Sequence, residues 1–370
     1  MIFNSAKSGG GDGWSYFIYE GTNTNVSFAG NVTYNVSGSI QSNCRILQGT
    51  GSTATYNGDL IYNLSNSHVS TQMQLGVAGT STYNGNVTVT NSGGANGVYF
   101  NVNATAASTL ATTKTIGIGG AGFSAGTLSL ARFTQLGSTP QSLTLTGTTT
   151  NLTFGPTSIF NGDVTSVSPS VLFNTNTFNG ALTSTKNGTP NDASAGGNTF
   201  NGTTSLTDVG TGYLLMANTS SDAYNGNVTF TQNNTGVVYP NYNTNCTYAG
   251  NVTIGASSTY TITFGSNTNG IATFNGGANQ TINKTGSVAN PLFTRLVINK
   301  SAGDITLNTR INVSTYLTPT QGIINTTAAN IVNMNNAATT TIGNALSYIN
   351  GPMNYDMALN GTRTLNFPIG

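Results

Sequence analysis

The hexapeptide YNGNVT stands at 83–88 and again, unchanged, at 224–229, with close variants at 28–33 (FAGNVT), 160–165 (FNGDVT) and 248–253 (YAGNVT). A chain that restates one phrase this often is built of like units. Aligning the copies on their aromatic residue gives Phe28, Tyr56, Tyr83, Phe160, Phe178, Phe200, Tyr224, Tyr248 and Phe274. The intervals run from 18 to 28 residues apart from one of 77, in which FSAGTL at 123–128 reads as a degenerate copy. A period of roughly 20–50 residues is the mark of a solenoid or repeat array.

The chemistry inside each copy is consistent. Two places after the aromatic comes glycine: Gly30, Gly58, Gly85, Gly162, Gly180, Gly202, Gly226, Gly250 and Gly276. Asn usually precedes it, and Asn-Gly supports the positive φ of a tight turn, so these glycines are expected at structural corners. Apolar residues return four and six places after the aromatic, as at Val32 and Tyr34, Val87 and Val89, Val228 and Phe230, Val252 and Ile254. Thr33, Thr88, Thr229 and Thr253 lie between them, which is the alternation of a strand with one buried face. Helical spacing of three and four is absent. Asn-Gly is also a hairpin signal, which leaves an antiparallel sandwich open. The regular period favours an all-β parallel β-solenoid, with turns of about 24 residues holding two or three short strands. About eleven turns at roughly 4.8 Å per rung would make a rod on the order of 50 Å long over 21–287.

Along the chain, residues 1–20 read as an N-terminal lead-in or partial turn, 21–287 as the solenoid repeats, and 288–370 as a continued solenoid or a small β-module. The corner phrase disappears near 288. The C-terminal TLNFPIG stops on a strand-like run, as expected for a piece of a longer protein.

Composition narrows the function classes. Charged residues make up 5% of the chain, against about 25% in an ordinary soluble domain, so Asn, Thr, Ser and Gly must cover the surface. The apolar share of 36% with 47 glycines still allows a sizeable core. Ten Lys and Arg against nine Asp and Glu leave no basic stripe for nucleic acid and no electrostatic pull toward an anionic membrane. No apolar run is long enough for a spanning helix, so membrane insertion is not expected, and MIFNSAKSGG lacks a secretory h-region. Cys44 and Cys246 lie too far apart in a linear array to join, so both are expected as small buried thiols.

The repeated [FY]-N-G-N-V-T phrase, the stretch DASAGGNTFNGTTSLTDVGTGYLLMANTSSDAYNGNVTF at 192–230, and LVINKSAGDITLN, LTPTQGIINTT, SYINGPM and LNFPIG between 296 and 370 resemble large repetitive surface proteins of Bacteroidota. That resemblance covers most of the chain and is one of repeat style. It implies export by the type IX secretion system, an extracellular or cell-surface location, and an adhesin-like or structural role. It supplies no catalytic residues. The usual N-terminal signal and C-terminal sorting domain of that group are not visible in this sequence.

Catalytic chemistry finds little footing. Polysaccharide-degrading β-helices need carboxylates clustered at one level. Here Asp59 and Asp163 occupy the slot held elsewhere by Asn31, Asn86, Asn227 and Asn251, and are expected as turn residues. Asp192, Asp208 and Asp222 fall in loop-like stretches and are expected to be solvated; Asp12, Glu20, Asp304 and Asp356 complete the acidic set. His68, the lone histidine, lacks any nucleophile signature and reads as a polar surface residue. No zinc set, no calcium-binding nonapeptide and no phosphate loop is present in SGGGDG or GIGGAG, so neither metal nor cofactor is expected. The N-x-[ST] triplets follow from the corner phrase. Thr-x-Thr pairs at 88–90, 144–146 and 261–263 are too sporadic for an ice-binding face. Trp14 and the sixteen tyrosines could stack on sugars if exposed in a row, though most tyrosines fall in core slots. The sequence therefore points to a non-catalytic extracellular structural or adhesive repeat, with surface glycans or other cell-surface material as partner. A carbohydrate-binding module is the alternative, and a polysaccharide-degrading enzyme a more distant one.

Overall fold

The computed structural model describes residues 1–7, 13–18, 23–46, 49–256, 260–266, 269–287, 289–357 and 365–368. Asp12, Glu20, most of SGGGDG and position 288 lie outside them, as does the side chain of Trp14. The described residues are all-β with no helix, in parallel sheets that form a β-solenoid of about 13 turns with about 24 residues per turn. They fall into two compact units, Met1–Thr189 and Pro190–Gly370.

In the N-terminal unit each turn carries three strands. The first follows the glycine corner, as in Val32–Gly38, Leu60–Leu64 and Val87–Asn91. The second is represented by Ser42–Ile46, Gln72–Leu75 and Gly97–Phe100. The third ends on the aromatic, as in Asn25–Phe28, Thr53–Tyr56 and Thr80–Tyr83. Each strand pairs in parallel with its counterpart one turn on: Val32 with Leu60 and Leu60 with Val87, Phe28 with Tyr56 and Tyr56 with Tyr83. Ile2–Lys7 and Gly13–Ile18 join the same ladders against Val32–Gly38 and Ser42–Ile46.

In the C-terminal unit the post-corner strands Thr204–Asp208, Val228–Gln232 and Val252–Ala256 stack in register. The aromatic strands Thr199–Phe200, Ala223–Tyr224, Asn245–Tyr248 and Ile271–Phe274 stack likewise. Further on, Leu292–Asn299 pairs with both Thr263–Phe264 and Ile271–Phe274, so two short strands of one turn become one long strand of the next. Parallel pairing then continues through Ile311–Gln321, Val332–Met334 and Met353–Tyr355, although the corner phrase is gone.

The strand periodicity explains the core. Along Val32–Gly38, Val32, Tyr34 and Val36 are buried while Thr33 and Asn35 face out. Because every second residue points inward and neighbouring turns are in register, like side chains meet like. Tyr34 stacks on Tyr62 with centroids 5.6 Å apart, and Phe160 on Phe178 at 5.2 Å. In the C-terminal unit Phe200 stacks on Tyr224 at 4.8 Å and Tyr224 on Tyr248 at 5.1 Å. Each such pair contributes about 0.5–1.5 kcal/mol beyond the area it buries. Cys44 and Cys246 are buried free thiols, one in each unit.

Two expectations are corrected. The corner glycines do not sit at positive φ; none of the nine belongs to the left-handed residues. They are required by close approach along the stack. A Cβ on Gly85 would lie 2.1 Å from the Gly58 carbonyl oxygen, on Gly226 2.3 Å from that of Gly202, and on Gly250 2.3 Å from that of Gly226. Gly30 would meet nothing within 4 Å. FSAGTL, in turn, is not a corner. Thr127–Leu130 lies in the second column, paired with Gly97–Phe100. The long interval holds two turns whose aromatic slot is filled by Leu110 and Gln135, in register between Tyr83 and Phe160.

Candidate functional site

The corner is the most regular polar feature of the molecule. Its Asn or Asp reaches along the stack and accepts the backbone N–H of the next turn. Asn31 Oδ1 accepts from Asp59 N at 2.9 Å, and Asp59 Oδ1 from Asn86 N at 2.9 Å. Asp163 Oδ1 accepts from Ala181 N at 2.8 Å, and Asn227 Oδ1 from Asn251 N at 2.9 Å. A second amide column runs beside it, with Asn84 Nδ2 donating to Asn57 Oδ1 at 2.9 Å and Asn225 Nδ2 to Asn201 Oδ1 at 2.8 Å. Asp59 and Asp163 are therefore turn residues, as their place in the phrase predicts. These bonds satisfy backbone donors that the corner would leave unpaired.

Outward side chains form columns of hydroxyls. On the aromatic strands of the N-terminal unit Ser27, Thr55, Thr82, Thr109 and Thr134 stand on successive rungs. On the post-corner strands of the C-terminal unit Ser205, Thr229 and Thr253 form one column, with Thr207 and Thr231 beside it. The surface so made is uncharged and rich in donors and acceptors at rung spacing, about 4.8 Å.

The remaining acidic residues are not where a solvated loop would put them. Asp192, Asp208 and Asp222 are buried, at 2%, 0% and 1% exposure. Asp192 begins a two-residue strand paired to Leu214–Leu215, Asp208 ends the strand Thr204–Asp208, and Asp222 precedes Ala223–Tyr224. The polar periodicity around them gives no sign of which way an isolated Asp points; only stacking against neighbouring turns decides it. Asp208 Oδ1 accepts from Gly210 N at 2.9 Å, closing its own turn. Asp222 Oδ1 accepts from both Asn198 N at 2.8 Å and Asn198 Nδ2 at 2.9 Å, and Asp222 N donates to Cys246 Sγ at 3.4 Å. Desolvation pushes Asp222 up to about 7, the Asn198 bonds opposing it.

Asp304 and Asp356 are held in amide networks by Asn325 and by Asn333 and Asn354. His68 Nδ1 accepts from Ser70 N at 3.2 Å at a partly exposed turn. Among the described residues no group of three or more His, Cys, Asp or Glu is placed to hold a metal, and no helix is long and apolar enough to cross a membrane.

One lysine carries geometry that the sequence did not reveal. Lys300 stands two places after Ile298, whose register partner is Phe274, so it takes the corner place of Gly276 one turn on. Its Nζ donates to Gly276 O at 3.0 Å, Ala278 O at 2.9 Å and Gln280 Oε1 at 2.5 Å. Burial pulls the ammonium below the ordinary lysine range and Asp304 works against that. With three acceptors engaged, Lys300 pins the corner. A cavity of about 220 Å³ beside it is lined by Asp304, Gln321, Gly322 and Leu346 and gathers no catalytic set.

Tyr34, Tyr56, Tyr62, Tyr83, Tyr224 and Tyr248 are fully buried. Tyr99, Tyr213, Tyr239, Tyr242, Tyr316, Tyr348 and Tyr355 are half-buried, and Tyr260 and Phe367 are exposed. Comparison with known protein families, with curated proteins and with solved structures gave no match.

Proposed function

We propose that the chain is a non-catalytic repeat segment of an extracellular bacterial surface protein, working as a structural stalk or adhesive array. The observation that carries this reading is the outward hydroxyl and amide columns, repeated rung by rung on strands whose inward faces are wholly used for packing. Repetition suits a function that needs many equivalent weak contacts, since linked weak sites gain avidity by effective concentration. Stability in such a stack adds up through neighbouring turns, so length can vary without redesign. The scarcity of charge makes contacts insensitive to salt. The partner chemistry that fits is hydroxyl-rich and uncharged, as in surface glycans. The likeness in repeat style to exported Bacteroidota surface proteins supports the location.

The test is retention of bead-coupled protein on glycan-coated and cell-derived surfaces, alongside a reducing-end assay on acidic and neutral polysaccharides. Retention should rise steeply with coupling density, persist in high salt, and drop when Thr229 and Thr253 are both changed to Lys. Release of reducing ends would overturn the non-catalytic reading. Retention unaffected by density or by the double substitution would overturn the adhesive one.

A further inference from the structure

Asp222 sits in an inward column made by Asn198, Asp222, Cys246 and Ala272, parallel to the stack Phe200, Tyr224, Tyr248 and Phe274. All four column residues are at most 1% exposed. One carboxylate oxygen, Oδ1, takes both Asn198 donors. The other, Oδ2, is buried with no partner, and so is the Tyr224 hydroxyl. The titratable groups that face it are Tyr224 on its own strand and Cys246 and Tyr248 on the next. All three are raised by burial first, and Asp222 raises each further. None of them offers a positive charge, and no cation acts on Asp222 among the described residues. An isolated ionised carboxylate in such surroundings costs several kcal/mol, and a protein relieves that cost by keeping the proton.

We propose that Asp222 is an un-ionised carboxylic acid in the folded protein, carrying its proton on the unpartnered Oδ2, and that its ionisation is a pH-sensitive release built into the turns that contain residues 198–248. Acid keeps the column neutral and the stack tight. Rising pH places a charge between Asn198 and Cys246 that nothing in the core neutralises.

The sign follows from linkage. The folded carboxyl holds its proton up to about 7, whereas the unfolded one loses it near 3.8. Between those values the folded state binds one more proton than the unfolded state, so stability falls as pH rises and levels off above the folded value. The folding equilibrium should weaken by about tenfold per pH unit across that window relative to a chain without the group.

The experiment is a ¹³C NMR titration of the full chain labelled at aspartate carboxyls, with denaturant unfolding of wild type and Asp222→Asn across the same range. One carboxyl should titrate near neutrality and vanish in Asp222→Asn, and the wild type should lose stability with pH more steeply than the variant. If every aspartate titrates below about pH 5, the proposal fails. Parallel pH profiles for the two chains also overturn it. Should Asp222→Asn not fold, Asn198→Ala supplies the second reading. It removes a donor that favours the carboxylate, so the midpoint of the same carboxyl must rise, and an unmoved midpoint refutes the assignment.

Discussion

On three successive rungs of the N-terminal unit the inward position two residues before the aromatic slot is filled by Ala54, Ser81 and Ser108; on three successive rungs of the C-terminal unit the same position holds Asn198, Asp222 and Cys246. Both columns are buried, the first beside the tilted pair Tyr56–Tyr83 and the second beside the stacked pair Tyr224–Tyr248. Their polar accounting differs. Burial raises the Tyr83 phenol, and its polar neighbours Tyr62, Ser81 and Ser108, in that order, moderate the effect. The phenol of Tyr224 has no such partner, and a carboxyl stands beside it. The slot takes aliphatic and aromatic groups at Val26, Phe133 and Leu296 and, on other rungs, a hydroxyl, an amide, a thiol or an acid. A repeat can thus keep its packing and change its response to pH through one residue.

The largest effect that would sharpen this contrast is Ser81→Asp. It moves the carboxyl into a column where the neighbours are Ala54 and Ser108, with no Asn198 to bind it. At pH 8 the loss should be about 3 kcal/mol or more, with partial recovery at pH 5, read from denaturant midpoints. A loss of the same size at both pH values would show a steric cost and break the comparison.

A comparable loss should follow truncation of either stack. Tyr83→Ala and Tyr224→Ala are each expected to cost about 3–5 kcal/mol. If Tyr224→Ala costs clearly less, the unpartnered phenol is the reason, because its removal also relieves a buried polar group.

The corners should behave alike in both units. Gly85→Ala and Gly226→Ala each force a Cβ against a carbonyl oxygen of the turn before and should cost about 1–3 kcal/mol. Gly30→Ala meets nothing within 4 Å and should fall within about 0.5 kcal/mol of wild type. Equal costs at Gly30 and Gly226 would return the argument to backbone conformation.

The smallest signal is chemical. Burial raises both thiols, Cys246 further through Asp222 and Cys44 through desolvation alone. Both should resist a thiol reagent in the folded protein and react on unfolding. Cys246 should be the first to become accessible as pH rises, if ionisation of Asp222 loosens its turn.

Much of the fold was legible in the residues. The alternation after each corner, as at Val32, Tyr34 and Val36, announces a strand with one buried face, and the recurrence of Phe or Tyr at intervals near 24 announces stacking. Asp59 and Asp163 could be assigned to corners because their neighbours in the phrase are Asn elsewhere. The turns at Leu110 and Gln135 escaped because their slot carries no aromatic; the Gly137 that follows Gln135 by two was the signal available. A Cβ there would stand 1.9 Å from Thr112 O, as at a true corner.

The sequence by itself determined the period, the inward and outward alternation and the corner chemistry, because these are set by the pleat and by residues close in the chain. Only the tertiary structure decided why the corner needs glycine, since the obstacle is a carbonyl a whole turn away. It also decided that Asp192, Asp208 and Asp222 are buried, that Lys300 pins a corner, and that Asp222 lies between Asn198 and Cys246. Those contacts join residues some 20 or more positions apart, such as Asn198 and Asp222, whose meeting depends on the register of stacked turns.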